Sequence, residues 1–234
     1  RGAGAARGRG ASPPPRARPV GRARRAWQRR GMSPLDPRAR LGAARIFWYA
    51  TGRFYVGADG TLQDAGYFVR LGELGTGWLG AAGAAARPEG AAQLTFLAAP
   101  WRSTAVDNGD LSLSLAPPGD FTVFYHPAGG ADFADPTSFA RGQAIATFRR
   151  DGQVVTTTIA SGRTRLVGIN VFTAELIASE PFTHAGVRHD LGALVPDGVT
   201  QWGVAGEDPL PDPPAGIVAV VPFVGSAVAA GPRG

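Results

Sequence analysis

LSLSLAPPGDFTVFYH, residues 111–126, is the stretch that decides the fold class. Leu111, Leu113 and Leu115 alternate with Ser112 and Ser114. A period of two places the leucines on one face of an extended chain and the serines on the other. Pro117-Pro118-Gly119-Asp120 is turn chemistry, and Phe121-Thr122-Val123-Phe124-Tyr125-His126 is β-favouring. The expected course is therefore strand, reversal, strand. Just upstream, Asn108-Gly109 is a hairpin signal, which predicts that Asp107 pairs with Asp110 and Val106 with Leu111.

The same pattern extends in both directions. Arg45 to Val56, Thr61 to Leu71, Gln93 to Leu97, Thr164 to Leu176, Val199 to Val204 and Ile217 to Val224 are further strand candidates. Asp151-Gly152 predicts a hairpin between Gln143–Arg150 and Gln153–Ala160, and Ala185-Gly186 predicts another within Phe182–Leu191. Only Gly80 to Arg87, rich in Ala, has any helical character, and Gly83 and Pro88 limit it. No strand–helix alternation and no fixed-period repeat is present. The expected class is all-β with little helix: an antiparallel β-barrel, with a two-sheet β-sandwich as the alternative.

The chain has 234 residues, 34 of them Gly and 20 Pro, and 44% hydrophobic residues, enough for one domain with a real core. It has no Cys and no Lys, all 24 basic residues being Arg. That excludes disulfides, thiolate chemistry, a P-loop, a Schiff-base lysine and the kinase lysine. Residues 1–45 hold 13 Arg and a single acid, Asp36, whereas residues 46–234 hold 11 Arg and 17 acids. Residues 1–41 read as a disordered Arg-rich tail. Met32, the only Met, is a plausible native start, which would put residues 1–31 upstream of the protein. Residues 42–230 read as a single all-β domain. Nucleic acid is an expected partner only if the tail is native. No secretory signal or 18-residue apolar run is evident, so the expected compartment is the cytoplasm and no membrane partner is expected.

Several constellations invite a chemical reading. Gly75-Thr76-Gly77-Trp78-Leu79-Gly80 matches G-x-G-x-x-G, but no long helix and no acid about twenty residues on supports a dinucleotide site. Asp107 and Asp110 could form a carboxylate pair, although turn chemistry explains them more simply. His126, His184 and His189 are the only histidines, and three imidazoles could hold a divalent metal. A turn at Ala185-Gly186 sets His184 opposite Val187 and Phe182 opposite His189. His184 and His189 then share a face, with Glu180 on it by period two. These four are the candidate catalytic residues. His189 and the adjacent Asp190 point to opposite faces, which argues against a direct dyad. The aromatic residues offer a third reading: Trp48, Tyr55, Trp101, Phe124 and Phe148 could line an apolar pocket inside a barrel.

The leading expectation is a small-molecule-binding β-barrel, of isomerase or cyclase type if it is an enzyme, acting on a small apolar molecule without a cofactor. The alternatives are a non-catalytic interaction or structural module, and a metal-dependent enzyme using the three histidines.

Overall fold

Gly57 to Thr61 shows how local chemistry sets the first hairpin. Asp59 accepts from the Thr61 backbone N–H at 2.9 Å and its hydroxyl at 2.6 Å, and Gly60 takes a φ of +80°. The turn joins β1 (Ala44–Gly57) to β2 (Leu62–Leu71). The computed structural model describes residues 44–72, 88–102, 104–108, 111–115, 119–151, 155–161, 164–165, 168–206 and 209–230. The tail, the 75–80 glycine motif and the 80–87 alanine segment lie outside these residues. Contacts group Gly42–Gly234 into one unit.

The chain continues through β3 (Leu94–Ala98), β4 (Thr104–Asn108), β5 (Leu111–Leu115), β6 (Asp120–Tyr125), β7 (Gln143–Asp151), β8 (Val155–Ser161), β9 (Thr164–Arg165) and β10 (Gly168–Ser179). The small hairpin β11 (Phe182–His184) and β12 (Val187–His189) leads into a single helical turn, α1 (Leu191–Leu194). Then come β13 (Val199–Ala205) and β14 (Ile217–Ala230). Strands β1, β2, β3, β6, β7, β10, β13 and β14 hydrogen-bond in that order, and β14 returns to β1. Every pairing is antiparallel. The result is a closed eight-stranded antiparallel β-barrel, and closure removes the edges of those strands from competition for other chains.

An eight-stranded barrel is just wide enough for side chains to fill, and aromatic rings do so here. Trp48 meets Phe68 and Phe148 edge-on at 5.3 and 5.6 Å, and Phe121 stacks on Phe148 at 5.1 Å. Gly52 and Gly66 face each other across β1 and β2. A Cβ on Gly66 would stand 2.7 Å from the Phe96 ring, and one on Gly52 2.7 Å from the Phe223 ring. The glycines make room for those rings inside the barrel. At the end where β3 begins and β6 finishes, Leu71, Leu94, Tyr125, Phe182, Leu191 and Val195 belong to the same buried cluster. A second, smaller core gathers Tyr55, Ala65, Phe139 and Val220 on the outer side of the wall, beneath the Pro136–Ala140 turn.

Three expected connections differ. Strands β5 and β6 do not pair with each other: β5 pairs with β8, and β6 with β7. Strands β7 and β8 do not form a hairpin either. Both run antiparallel to β10, with Asp151 opposite Thr173 and Thr157 opposite Ile169. The sequence 143–161 therefore runs in one direction along β10, and 111–125 runs beside it. Strands β4, β5, β8 and β9 extend the sheet past the barrel. The strands on either side of these turn-prone residues keep the same direction, because the partners that hold each segment lie far away in sequence. In the β4–β5 hairpin Asn108 lies opposite Leu111 and Asp107 opposite Ser112. The two connecting residues are therefore 109–110, one residue later than expected, and Asp107 does not pair with Asp110.

A candidate site around a buried Arg–Asp pair

Period two makes Asp64 share the inner face of β2 with Phe68, and Arg150 share that of β7 with Phe148. Two opposite charges thus enter an aromatic interior. Arg150 Nη2 donates to Asp64 Oδ1 at 2.8 Å and Oδ2 at 2.9 Å. Arg150 is 4% exposed and Asp64 7%. The guanidinium carbon lies 4.6 Å from the Trp101 ring centroid, 5.0 Å from Phe172 and 5.5 Å from Phe121. Aromatic faces attract the cation and replace part of its lost hydration. The Arg150 backbone N–H donates to Gly119 at 3.0 Å, which fixes the strand end that carries it.

The pair is not fully satisfied. Arg150 Nε is buried and has no protein acceptor. Beside it lies a cavity of about 10 Å³, room for one water, whose lining includes Asp64, Arg150, Gln201, Trp48, Phe121 and Phe172. Gln201 Oε1 accepts from Trp48 Nε1 at 3.0 Å. Trp101 flanks the guanidinium; its backbone exchanges two hydrogen bonds with Leu62, and its ring meets Phe54 edge-on at 5.8 Å. A buried ion pair is expensive to desolvate. This one gathers a cation, a carboxylate, an unpaired N–H and flat apolar walls at one place.

The residues expected to line a pocket are dispersed. Trp48 and Phe148 are buried in the barrel core, and Trp48 also lines the small cavity beside Arg150. Trp101 is half-buried against Arg150. Tyr55 belongs to the outer core, where its hydroxyl donates to Phe133 at 3.0 Å and burial raises its pKa. Phe124 is half-buried, opposite Thr95 and Ala144. Asp64, Arg150 and Gln201 were missed by sequence reasoning. The available signal was their parity with inward aromatic residues: Asp64 with Phe68, Arg150 with Phe148.

The β11–β12 register is the expected one, with His184 opposite Val187 and Phe182 opposite His189. Ala185 at φ 49° and Gly186 at φ 81° give the two left-handed residues that such a turn needs. The Tyr125 hydroxyl lies 3.0 Å from His184 Nδ1. Burial, and then the charge of His189, lower the His184 pKa. The Phe182 and His189 rings are 5.4 Å apart. His126 lines an open groove of about 620 Å³ with Arg141, Gln143 and Phe182, and its buried Nδ1 has no hydrogen-bond partner. Glu180 is exposed just before Pro181. Asp190 Oδ1 accepts from Gly192 N–H at 2.8 Å and Ser179 Oγ at 2.7 Å, which caps α1 and holds its carboxyl below the usual range. Among the described residues no three His, Asp or Glu side chains gather into a metal-ligand set. No helix among them is long and apolar enough to cross a membrane.

No protein-family model, no curated protein and no solved structure matches this chain.

Proposed function

We propose that the protein binds a small molecule at the Arg150 end of the barrel. The observation that carries this reading is the buried Arg150 Nε–H, which lacks an acceptor inside an aromatic enclosure. A ligand with a flat apolar body and one carbonyl or carboxylate oxygen would supply that acceptor and stack on the rings. Anything larger than a water needs the site to open, and the Trp101 indole over the guanidinium, half-buried and in no extended strand, is the side chain beside Arg150 with room to move.

The chemistry available there suits isomerisation or ring closure. Arg150 would stabilise negative charge developing on the ligand oxygen, and the aromatic walls would exclude water and hold the carbon frame in one shape. Asp64 holds the guanidinium in place and is the nearest carboxylate for moving a proton.

Benzoate is the simplest probe of this chemistry. Titration of the full chain should shift the Arg150 Nε–H resonance and the Trp101 indole resonance in ¹H–¹⁵N spectra. The paired variant Asp64→Leu/Arg150→Met should lose the Trp101 response while remaining folded. An unchanged Arg150 signal at millimolar benzoate, or an undiminished Trp101 response in the paired variant, overturns the reading.

A further inference from the structure

The outer wall of the barrel carries a feature independent of the interior site. Antiparallel register sets Val171 of β10 opposite Trp202 of β13, Trp202 opposite Ser226 of β14, and Ser226 opposite Tyr49 of β1. Directly opposed residues point to the same side of a sheet. With inward neighbours such as Phe172 and Ala227 buried, this row faces outward. The next row adds Ile169 and Val224. Trp202 is 52% exposed and Val224 61%. Ser226, the polar member of the central row, is covered by its neighbours. Segments 46–51, 169–173, 200–204 and 224–228 contain no charged residue at all. From strand spacing and rise, four strands by three rows cover about 400 Å². Patches of that size on a single chain are often functional.

We infer that this face packs against the same face of a second copy of the chain, giving a two-fold dimer in which two barrel walls lie sheet against sheet. Three observations favour a copy over another occupant. First, neither surface would bury a charge. The chain's own Arg-rich stretch, residues 1–45 with 13 Arg, would bring unpaired guanidinium groups onto it. Second, the two flanks differ in sign. Exposed Arg70 lies opposite Tyr49 on the β2 side, and exposed Glu175 lies on β10. Arg149, opposite Glu175, is engaged by Asp120 at 3.0 Å. A two-fold axis along the strands lays the Arg70 flank over the partner's β10 flank, where Glu175 stands four residues, about 13 Å, along the strand from the central row, so the signs complement between flanks and not as a direct pair. Third, Trp202 at the centre is the residue type that anchors interfaces. The apolar footprint is about half of the ~800 Å² per partner of a standard interface. The flanks supply the polar rim.

Sedimentation velocity of the full chain from about 2 to 500 µM tests this. A monomer–dimer equilibrium is expected. Trp202→Glu and Val224→Glu should each weaken it at least tenfold, whereas Val187→Glu, exposed on β12 away from this face, should leave it unchanged. Circular dichroism checks each variant's fold, and Val224→Glu decides if Trp202→Glu does not fold. A monomer throughout the range overturns the inference, as does a dimer indifferent to both face substitutions. A trimer overturns it too, because a face-to-face contact closes at two. So does a monomer that floats with neutral phosphatidylcholine vesicles, which would assign the face to lipid.

Discussion

Asp64 and Arg150 form an ion pair that apolar residues of similar volume could replace. Removing one member leaves the other charged and buried. Asp64→Asn is expected to cost about 3–5 kcal/mol in urea unfolding. Asp64→Leu together with Arg150→Met should recover most of that loss, because no charge is then left in the barrel. A paired variant that is stable yet unresponsive to benzoate would mean that the charges serve binding and not folding. A paired variant as unstable as Asp64→Asn would mean that they serve the fold. This pair was legible in principle. Each of its members stands two residues or four from an inward aromatic ring, and no register shift lies between them. It was passed over because an isolated charge in a strand usually faces water. Which opposite charge would meet it depends on closure of the barrel, with residues 86 apart in sequence brought together.

The β11–β12 hairpin and α1 cover one end of the barrel through Phe182 and Leu191, and their hold depends on pH. In the folded chain His184 binds its proton less readily than a free imidazole, through burial first and the His189 charge second. As pH falls, the unfolded chain protonates first. Stability is thus full above about pH 6.5 and declines as pH drops from there through the folded His184 value. Amides of 182–195 should exchange faster at pH 5.5 than at pH 7.5, after correction for intrinsic rates, while β1 and β14 amides should not respond. His184→Gln should flatten the difference. Asp190 acts in a separate, lower window: its depressed pKa stabilises the fold above the ordinary carboxylate range and is lost as pH falls below it. This hairpin was readable because its register depends only on the two residues of its own turn. The runs 111–125 and 143–161 were not, because Pro117-Pro118 and Asp151-Gly152 have the chemistry of reversals. The hydrogen bonds that hold the strands on either side of these residues come from strands placed elsewhere.

At the scale of the molecule, the barrel circuit closes entirely within residues 44–230. Deleting residues 1–41 should therefore change the unfolding midpoint by no more than about 2–4 °C, the shift of roughly 1 kcal/mol at this size. A larger fall in a thermal scan would show that the tail supports the barrel. The all-β class was legible from alternation and turns. Barrel closure was favoured on chain length and on the advantage of having no edges; the β13–β10 and β14–β1 pairings that establish it leave no local mark. That last pairing bears on how the chain is made. Ala44 lies opposite Ala230, and the ladder continues to Gly57 opposite Ile217. During synthesis β1 emerges early, and its free edge waits for nearly the whole chain before β14 can cover it. Until then the nascent polypeptide presents Ile46-Phe47-Trp48-Tyr49 with one side open to any other strand. The pairing of β1 with β14 is thus the contact that ends this vulnerability to misassembly, and the time of synthesis from β1 through β14 sets how long that exposure lasts.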